Sequence, residues 1–123
     1  MIPLLDADAL ISLSQSDGKL LLLNSSEVLD LVVSECHNPK YCNAHQFIEQ
    51  SSLSVIVADP SWLQEASCYR SPSLSFHDIL NLHYASSCQR TLVTNSKCLM
   101  SVCNDKHINT ISYHEFLETF ALN

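Results

Sequence analysis

The stretch IPLLDADALI, residues 2–11, begins as a continuous apolar run and then carries two acids, Asp6 and Asp8, before it turns apolar again. A short run of this kind is typical of a strand that is buried on both faces, as in a parallel sheet. We therefore predict a strand over 2–6 and a short helix over 7–14. Because open parallel sheets bind ligands beyond the carboxyl ends of their strands, Asp6 is a candidate site residue.

Length and composition indicate one globular domain over residues 1–123. Of the residues, 46% are apolar and 15% are charged, which favours a folded chain over a disordered one. Gly18 is the only glycine, so glycine-rich phosphate loops are excluded. The sequence has neither an apolar run of about 20 residues nor a basic flank before its first apolar run, so we expect no membrane partner and a cytoplasmic location.

The formal net charge is −7, with only six Lys and Arg residues. Proteins that bind nucleic acid mainly through phosphate attraction are normally basic. The charge therefore disfavours nucleic acid as a structural partner. It does not exclude nucleic acid as a substrate, because a bound cation inverts the local field.

Beyond the first strand, short apolar segments alternate with helical ones. This alternation predicts a three-layer α/β/α fold with a mostly parallel sheet of about five strands. KLLLL at 19–23 fits either a strand or the end of a helix. We predict the remaining strands over 53–58, 91–94 and 109–112, and helices over 27–37, 42–51, 61–67, 75–87, 97–104 and 113–121.

Three further acids are site candidates, each with a plain structural alternative. Glu35 continues the apolar stripe of helix 27–37 and so points along its buried face, unless the helix end is frayed and the carboxylate reaches water. Asp78 completes an S-x-x-D capping box with Ser75, a role that is compatible with facing a site. Asp8 either faces the same crevice as Asp6 or caps the helix that begins beside it.

The fourth predicted strand ends at Thr94 and is followed by Asn95 and Ser96. The polar oxygens of these three residues fall at the same rim as Asp6. Their plain alternative is a turn with a helix cap at Asn95 or Ser96. His77 and His83 flank Asp78, and we assign a catalytic role to neither.

In their order, these segments resemble the PIN-domain family, which includes the VapC-type toxin ribonucleases. The resemblance is carried by LLDADALISL (4–13), VLDLVVSECHNP (28–39), LSFHDILNLHYA (74–85), RTLVTNSKCL (90–99) and INTIS (108–112). It implies a five-stranded parallel sheet whose carboxyl edge gathers acids that bind Mg²⁺ or Mn²⁺ for RNA hydrolysis. By resemblance, Asp6, Glu35 and Asp78 would be the catalytic and metal-binding residues.

The chain departs from the family pattern at two places. It has Asp8 where the family usually carries a small hydroxyl or amide residue. After the fourth strand it has Thr94-Asn95-Ser96 where the family commonly has Thr-x-Asp. The fourth carboxylate is therefore missing or replaced by neutral oxygens, unless Asp8 compensates for it.

Three functional hypotheses follow. The first is a metal-dependent endoribonuclease, which by resemblance would be a toxin with an RNA substrate, a tight-binding antitoxin and a homodimeric state. The second is a catalytically degenerate PIN-like binding or regulatory module. The third is a zinc-stabilised interaction domain on Cys36, Cys42 and nearby His residues within CHNPKYCNAH (36–45), although this stretch lacks the usual CxxC pairs.

Overall fold

A computed structural model describes residues 2–14, 26–35 and 53–120. Within these ranges five strands form one all-parallel sheet in the order β3-β2-β1-β4-β5. The strands are β1 (Pro3–Leu5), β2 (Glu27–Leu29), β3 (Ser54–Ile56), β4 (Thr91–Val93) and β5 (Thr110–Ile111). The helices are α1 (Ala7–Ser14), α2 (Asp30–Glu35), α3 (Trp62–Glu65), α4 (Phe76–Cys88), α5 (Lys97–Asp105) and α6 (Tyr113–Phe120), and a 3₁₀ turn over Ala66–Tyr69 follows α3. The predicted α/β fold with a five-stranded parallel sheet is confirmed.

The first strand lies at the centre of the sheet. The chain runs from β1 to β2 and β3 on one side, and then returns to β4 and β5 on the other. The strand order therefore reverses between β1 and β4, which is the place where parallel sheets bind ligands. The register pairs Leu5 with Val93, so the residues that follow, Asp6 and Thr94, leave the sheet at the same level.

The direction of the crossovers assigns the helices to faces. Parallel crossovers are right-handed, so connections that run in opposite directions along a sheet place their helices on opposite faces. Accordingly, α1 contacts α2 on one side, whereas α3 contacts α4 on the other. The strands between them are fully buried at Leu4, Leu29 and Leu92, which explains why the chain encodes them as continuous apolar runs.

One predicted helix begins at the wrong residue. We expected a helix over 27–37, but Glu27–Leu29 is a strand and the helix is Asp30–Glu35. The strand pairs with β1 on one side and β3 on the other, and this ladder outweighs the helical spacing of the apolar residues. The later elements lie within three residues of their predicted bounds. The predictions for 19–23, 42–51 and CHNPKYCNAH (36–45) fall outside the described residues.

Two further findings concern membrane crossing and thiols. None of the helices in the described ranges is long and apolar enough to traverse a bilayer. Cys68, Cys88 and Cys98 are exposed free thiols, and Cys103 is a buried one, as expected for cysteines that serve as small side chains or surface thiols.

A polar cluster of Glu27, Tyr84 and Arg90 connects three elements at the amino edge of the sheet. Glu27 Oε1 accepts hydrogen bonds from the Tyr84 hydroxyl (2.9 Å) and from Arg90 Nε (2.6 Å). The carboxylate joins β2 to α4 and to the residue before β4. Its bond to Arg90 raises the pKa of the guanidinium, while burial and the bond to Glu27 raise the pKa of the Tyr84 hydroxyl.

We expect Glu27→Ala to lower the free energy of unfolding by about 2–3 kcal/mol, because it leaves two largely buried donors without their acceptor. Urea denaturation measures the change. Glu118→Ala is the matched control: Glu118 pairs with His114 on an exposed helix face, where such pairs contribute under about 1 kcal/mol. Equal losses in the two variants would contradict a stabilising role for the cluster.

Candidate functional site

A cleft of about 200 Å³ lies at the carboxyl edge of the sheet, where the strand order reverses. Asp6, Asp8 and Asp78 all line it. The fold therefore brings together acids from the end of β1, the first turn of α1 and the first turn of α4. The other polar residues that line the cleft are Ser75, His77, Asn81 and Ser96.

Asp6 is the most buried of the three acids, with 5% of its surface exposed. Its Oδ1 accepts the Ala9 N–H (2.9 Å), and its carbonyl accepts the Leu10 N–H (3.0 Å), so Asp6 is the residue that caps α1. Asp8, which we considered for that role, lies one residue inside the helix and is exposed at the rim of the cleft.

The surroundings of Asp6 oppose its ionisation. Burial raises the pKa of this carboxyl from 3.8 to about 6, and the charges of Asp8 and Asp78 add to the increase. Hydrogen bonds from the Thr94 hydroxyl and the Ala9 amide lower the pKa but do not cancel the effect of burial. Near neutral pH the cleft therefore holds a carboxylate in an environment that favours a neutral acid or a bound cation.

Asp78 is held in place by the predicted capping box. Its Oδ2 accepts the Ser75 N–H (3.0 Å), and the Ser75 hydroxyl accepts the Asp78 N–H (3.1 Å). These two bonds define the start of α4 and keep the Asp78 side chain at the wall of the cleft. The capping role and the site position are thus compatible, as the sequence suggested.

The three residues after β4 have different roles. Ser96 lines the cleft and caps α5, since its Oγ accepts the Leu99 N–H (3.3 Å). Thr94 is fully buried behind Asp6, where its hydroxyl bonds to that carboxylate and accepts the Ser96 N–H (3.0 Å). Asn95 is exposed and turns to α6, where its Oδ1 accepts the Tyr113 N–H (3.1 Å). Asn95 is not among the residues that line the cleft.

Glu35 and the two histidines complete the predicted set. Glu35 is the last residue of α2, and the prediction for its carboxylate falls outside what the structure describes. His77 lines the cleft, with its ring 5.7 Å from that of Phe76. His83 lies elsewhere, with Nε2 3.0 Å from Glu65 Oε2 and its ring against Trp62.

Two side chains were missed by sequence reasoning. Asp30, at the end of β2, accepts the Leu31 and Ala58 N–H groups at 2.9 and 3.0 Å and so ties β2 to the segment after β3. Asn81 is 1% exposed and lines the cleft, and its Oδ1 has no hydrogen-bond partner within the described part of the chain. Its position three residues after Asp78, on the same side of one helix, is the feature that indicates it.

The cleft offers oxygen atoms to a ligand. No three Asp, Glu, His or Cys side chains within residues 2–14, 26–35 and 53–120 lie close enough together to form a metal site by themselves. Mg²⁺, however, keeps several waters and needs only one or two carboxylates from the protein. Asp6 and Asp78, with the unpaired carbonyl oxygen of Asn81, match that preference for hard oxygen donors.

Comparisons with known proteins bear on the fold. No protein-family model matches the chain, and no curated protein sequence does. Among solved structures it is similar to a PilT N-terminus domain protein from the hyperthermophilic archaeon Sulfolobus solfataricus P2, with a TM-score of 0.67. The match covers 97% of this chain and 92% of the other at 14% sequence identity. The chain therefore has the fold of PilT N-terminus, or PIN, domains.

We expect Asp6→Asn to stabilise the metal-free protein at neutral pH. Because the pKa of Asp6 is raised on folding, its contribution to stability is full below pH 4 and is lost as pH rises through about 6. Asparagine retains the oxygen that caps α1 and does not ionise. Urea unfolding in EDTA should show the variant gaining about 2 kcal/mol over wild type between pH 4.5 and 7.5. A difference that is independent of pH would contradict the buried charge.

Proposed function

We propose that the protein is a metal-dependent endoribonuclease that hydrolyses RNA phosphodiesters with Mg²⁺ or Mn²⁺. The observation that supports this most is the meeting of Asp6 and Asp78, distant in sequence, in one cleft at the switch point of a PIN fold. Asp6 is a desolvated acid whose environment favours a cation, and nucleases use such acids to hold their metal.

The proposal gives each of the four candidate acids a role. Asp6 and Asp78 are the direct ligands, and the Glu35 carboxylate binds through water or orients that water. Asp8, at the rim, is an additional acid. When bound, a divalent cation would lower the pKa of a coordinated water and stabilise the charge that develops on the scissile phosphate. The chain then needs no covalent nucleophile.

The backbone bonds of the two direct ligands prepare them for this task. Asp6 is fixed by the Ala9 amide and Asp78 by the Ser75 amide, so neither carboxylate must reorganise to receive a ligand. Burial of Asp6 strengthens its interaction with any charge in the cleft, because water screens it less.

Features beside the cleft support a single-stranded nucleic acid as substrate. Phe76 directly precedes His77 and is 46% exposed. Together with Arg70 and Pro72 it lines an open groove of apolar character. Exposed aromatic rings near a guanidinium are surfaces on which unpaired bases stack.

The biological setting we propose comes from the resemblance to small VapC-type proteins. On that basis the enzyme is the toxin of a toxin–antitoxin pair, works as a homodimer in the cytoplasm and is held inactive by a tight-binding antitoxin.

A second candidate function is a PIN-like binding or regulatory module without catalysis. It is favoured by the neutral residues Thr94 and Asn95 at the end of β4. It is also favoured by the finding that no three acids among the described residues are grouped closely enough to hold a metal ion by themselves. A zinc-stabilised interaction domain on Cys36 and Cys42 concerns residues outside the described ranges, and elemental analysis for zinc tests it.

We expect the protein to cleave a structured RNA in its single-stranded loops when Mn²⁺ is present, and we expect cleavage to stop when EDTA is added. Asp6→Asn and Asp78→Asn should each reduce cleavage at least about 100-fold, because the amide keeps the capping bond but removes the ligand charge. Gel analysis of end-labelled RNA gives the rates.

Asp105→Asn is the matched control, since Asp105 is an exposed acid at the far end of α5. It should cleave like wild type. Cleavage that survives in both cleft variants would exclude this site as the nuclease centre. A folded wild type that binds Mn²⁺ but cleaves no RNA would favour the binding module.

A further inference from the structure

Two buried polar atoms stand out because neither has a hydrogen-bond partner in the described ranges: Asn81 Oδ1 and Ser26 Oγ. Both residues are almost completely buried, at 1% and 0% exposure. An unpaired buried polar atom costs free energy, and in a native protein it calls for a specific explanation. For Asn81 the described residues offer such an explanation, because Asn81 lines the acidic cleft. Ser26 lies at the opposite edge of the sheet, immediately before β2.

The chemistry of the cleft restricts what Asn81 Oδ1 can bind. A carbonyl oxygen can only accept hydrogen bonds or coordinate a cation. The residues that line the cleft with it include Asp6 and Asp78, whose carboxylates are also acceptors when ionised. A phosphate would be repelled by this set of oxygens. A hard divalent cation satisfies all of them at once.

We propose that Asn81 is a third protein ligand of the divalent cation, which binds through Oδ1 as a neutral oxygen beside Asp6 and Asp78. This inference rests on the proposed metal site. Asn81 and Asp78 are separated by one helical turn of α4, so the helix presents both to one ion. The chain thereby gains an oxygen ligand from α4, whereas the residues after β4 contribute no carboxylate.

The test measures Mn²⁺ binding to the full chain by isothermal titration calorimetry, with melting temperatures in EDTA as the second readout. Asn81→Leu keeps the branched shape of the side chain but removes the oxygen. It should weaken Mn²⁺ binding about tenfold or more and raise the melting temperature in EDTA, because an unpaired polar atom is lost.

Ser26→Ala is the matched control. It removes the other polar atom that has no partner in the described ranges, so it should also raise the melting temperature in EDTA. It should leave the Mn²⁺ affinity at the wild-type value. Asn81→Asp is the complementary variant. It should bind Mn²⁺ more tightly than wild type at pH 8 and melt at a lower temperature in EDTA, because it adds a charge beside two others.

The outcomes separate this inference from the nuclease proposal. Wild-type Mn²⁺ affinity in folded Asn81→Leu would overturn the role of Asn81 while leaving the metal site intact. Absence of Mn²⁺ binding to wild type would overturn both. Weakened binding in Asn81→Leu, in a protein that cleaves no RNA, would support the ligand role and reject only the nuclease.

Discussion

The burial of one carboxylate at the end of the central strand governs the carboxyl edge of this protein. Asp6 follows β1, which has neighbours on both sides, and only 5% of the Asp6 surface is exposed. The chain accommodates it with bonds from Ala9 and Thr94, and these lower its pKa by less than burial raises it. The pKa of Asp6 therefore stays raised at the switch point of the sheet, and the cleft forms beside this residue.

Asp6 and Asp78 at this edge both cap a helix and line the cleft. Asp6 begins α1, Asp78 begins α4, and Asp30 joins the end of β2 to the segment after β3. The bonds that form the helices therefore also set the positions of the cleft carboxylates. A ligand of the cleft would therefore bind side chains that are already in place, and little of its binding free energy would be lost to ordering them.

Sequence reasoning predicted the elements whose determinants are local. The apolar run 2–6 gave β1, the S-x-x-D pattern gave the start of α4, and Ser96 gave the start of α5. It failed where distant pairing decides, as in Glu27–Leu29, which the spacing of apolar residues presents as helix. It also missed Asn81, because a polar residue beside the apolar stripe of α4 looks solvent-exposed until the sheet packs against the helix.

The amino edge of the sheet has a stabilising cluster of its own, in addition to the caps at the carboxyl edge. The cluster of Glu27, Tyr84 and Arg90 fastens β2, α4 and the start of β4 at the amino edge, away from the cleft. Changes in the cleft that keep the capping oxygens, such as aspartate to asparagine at Asp6 or Asp78, therefore leave the scaffold intact. Descendants of this chain could therefore change the charge of the cleft and grow apart in sequence while their architecture endures.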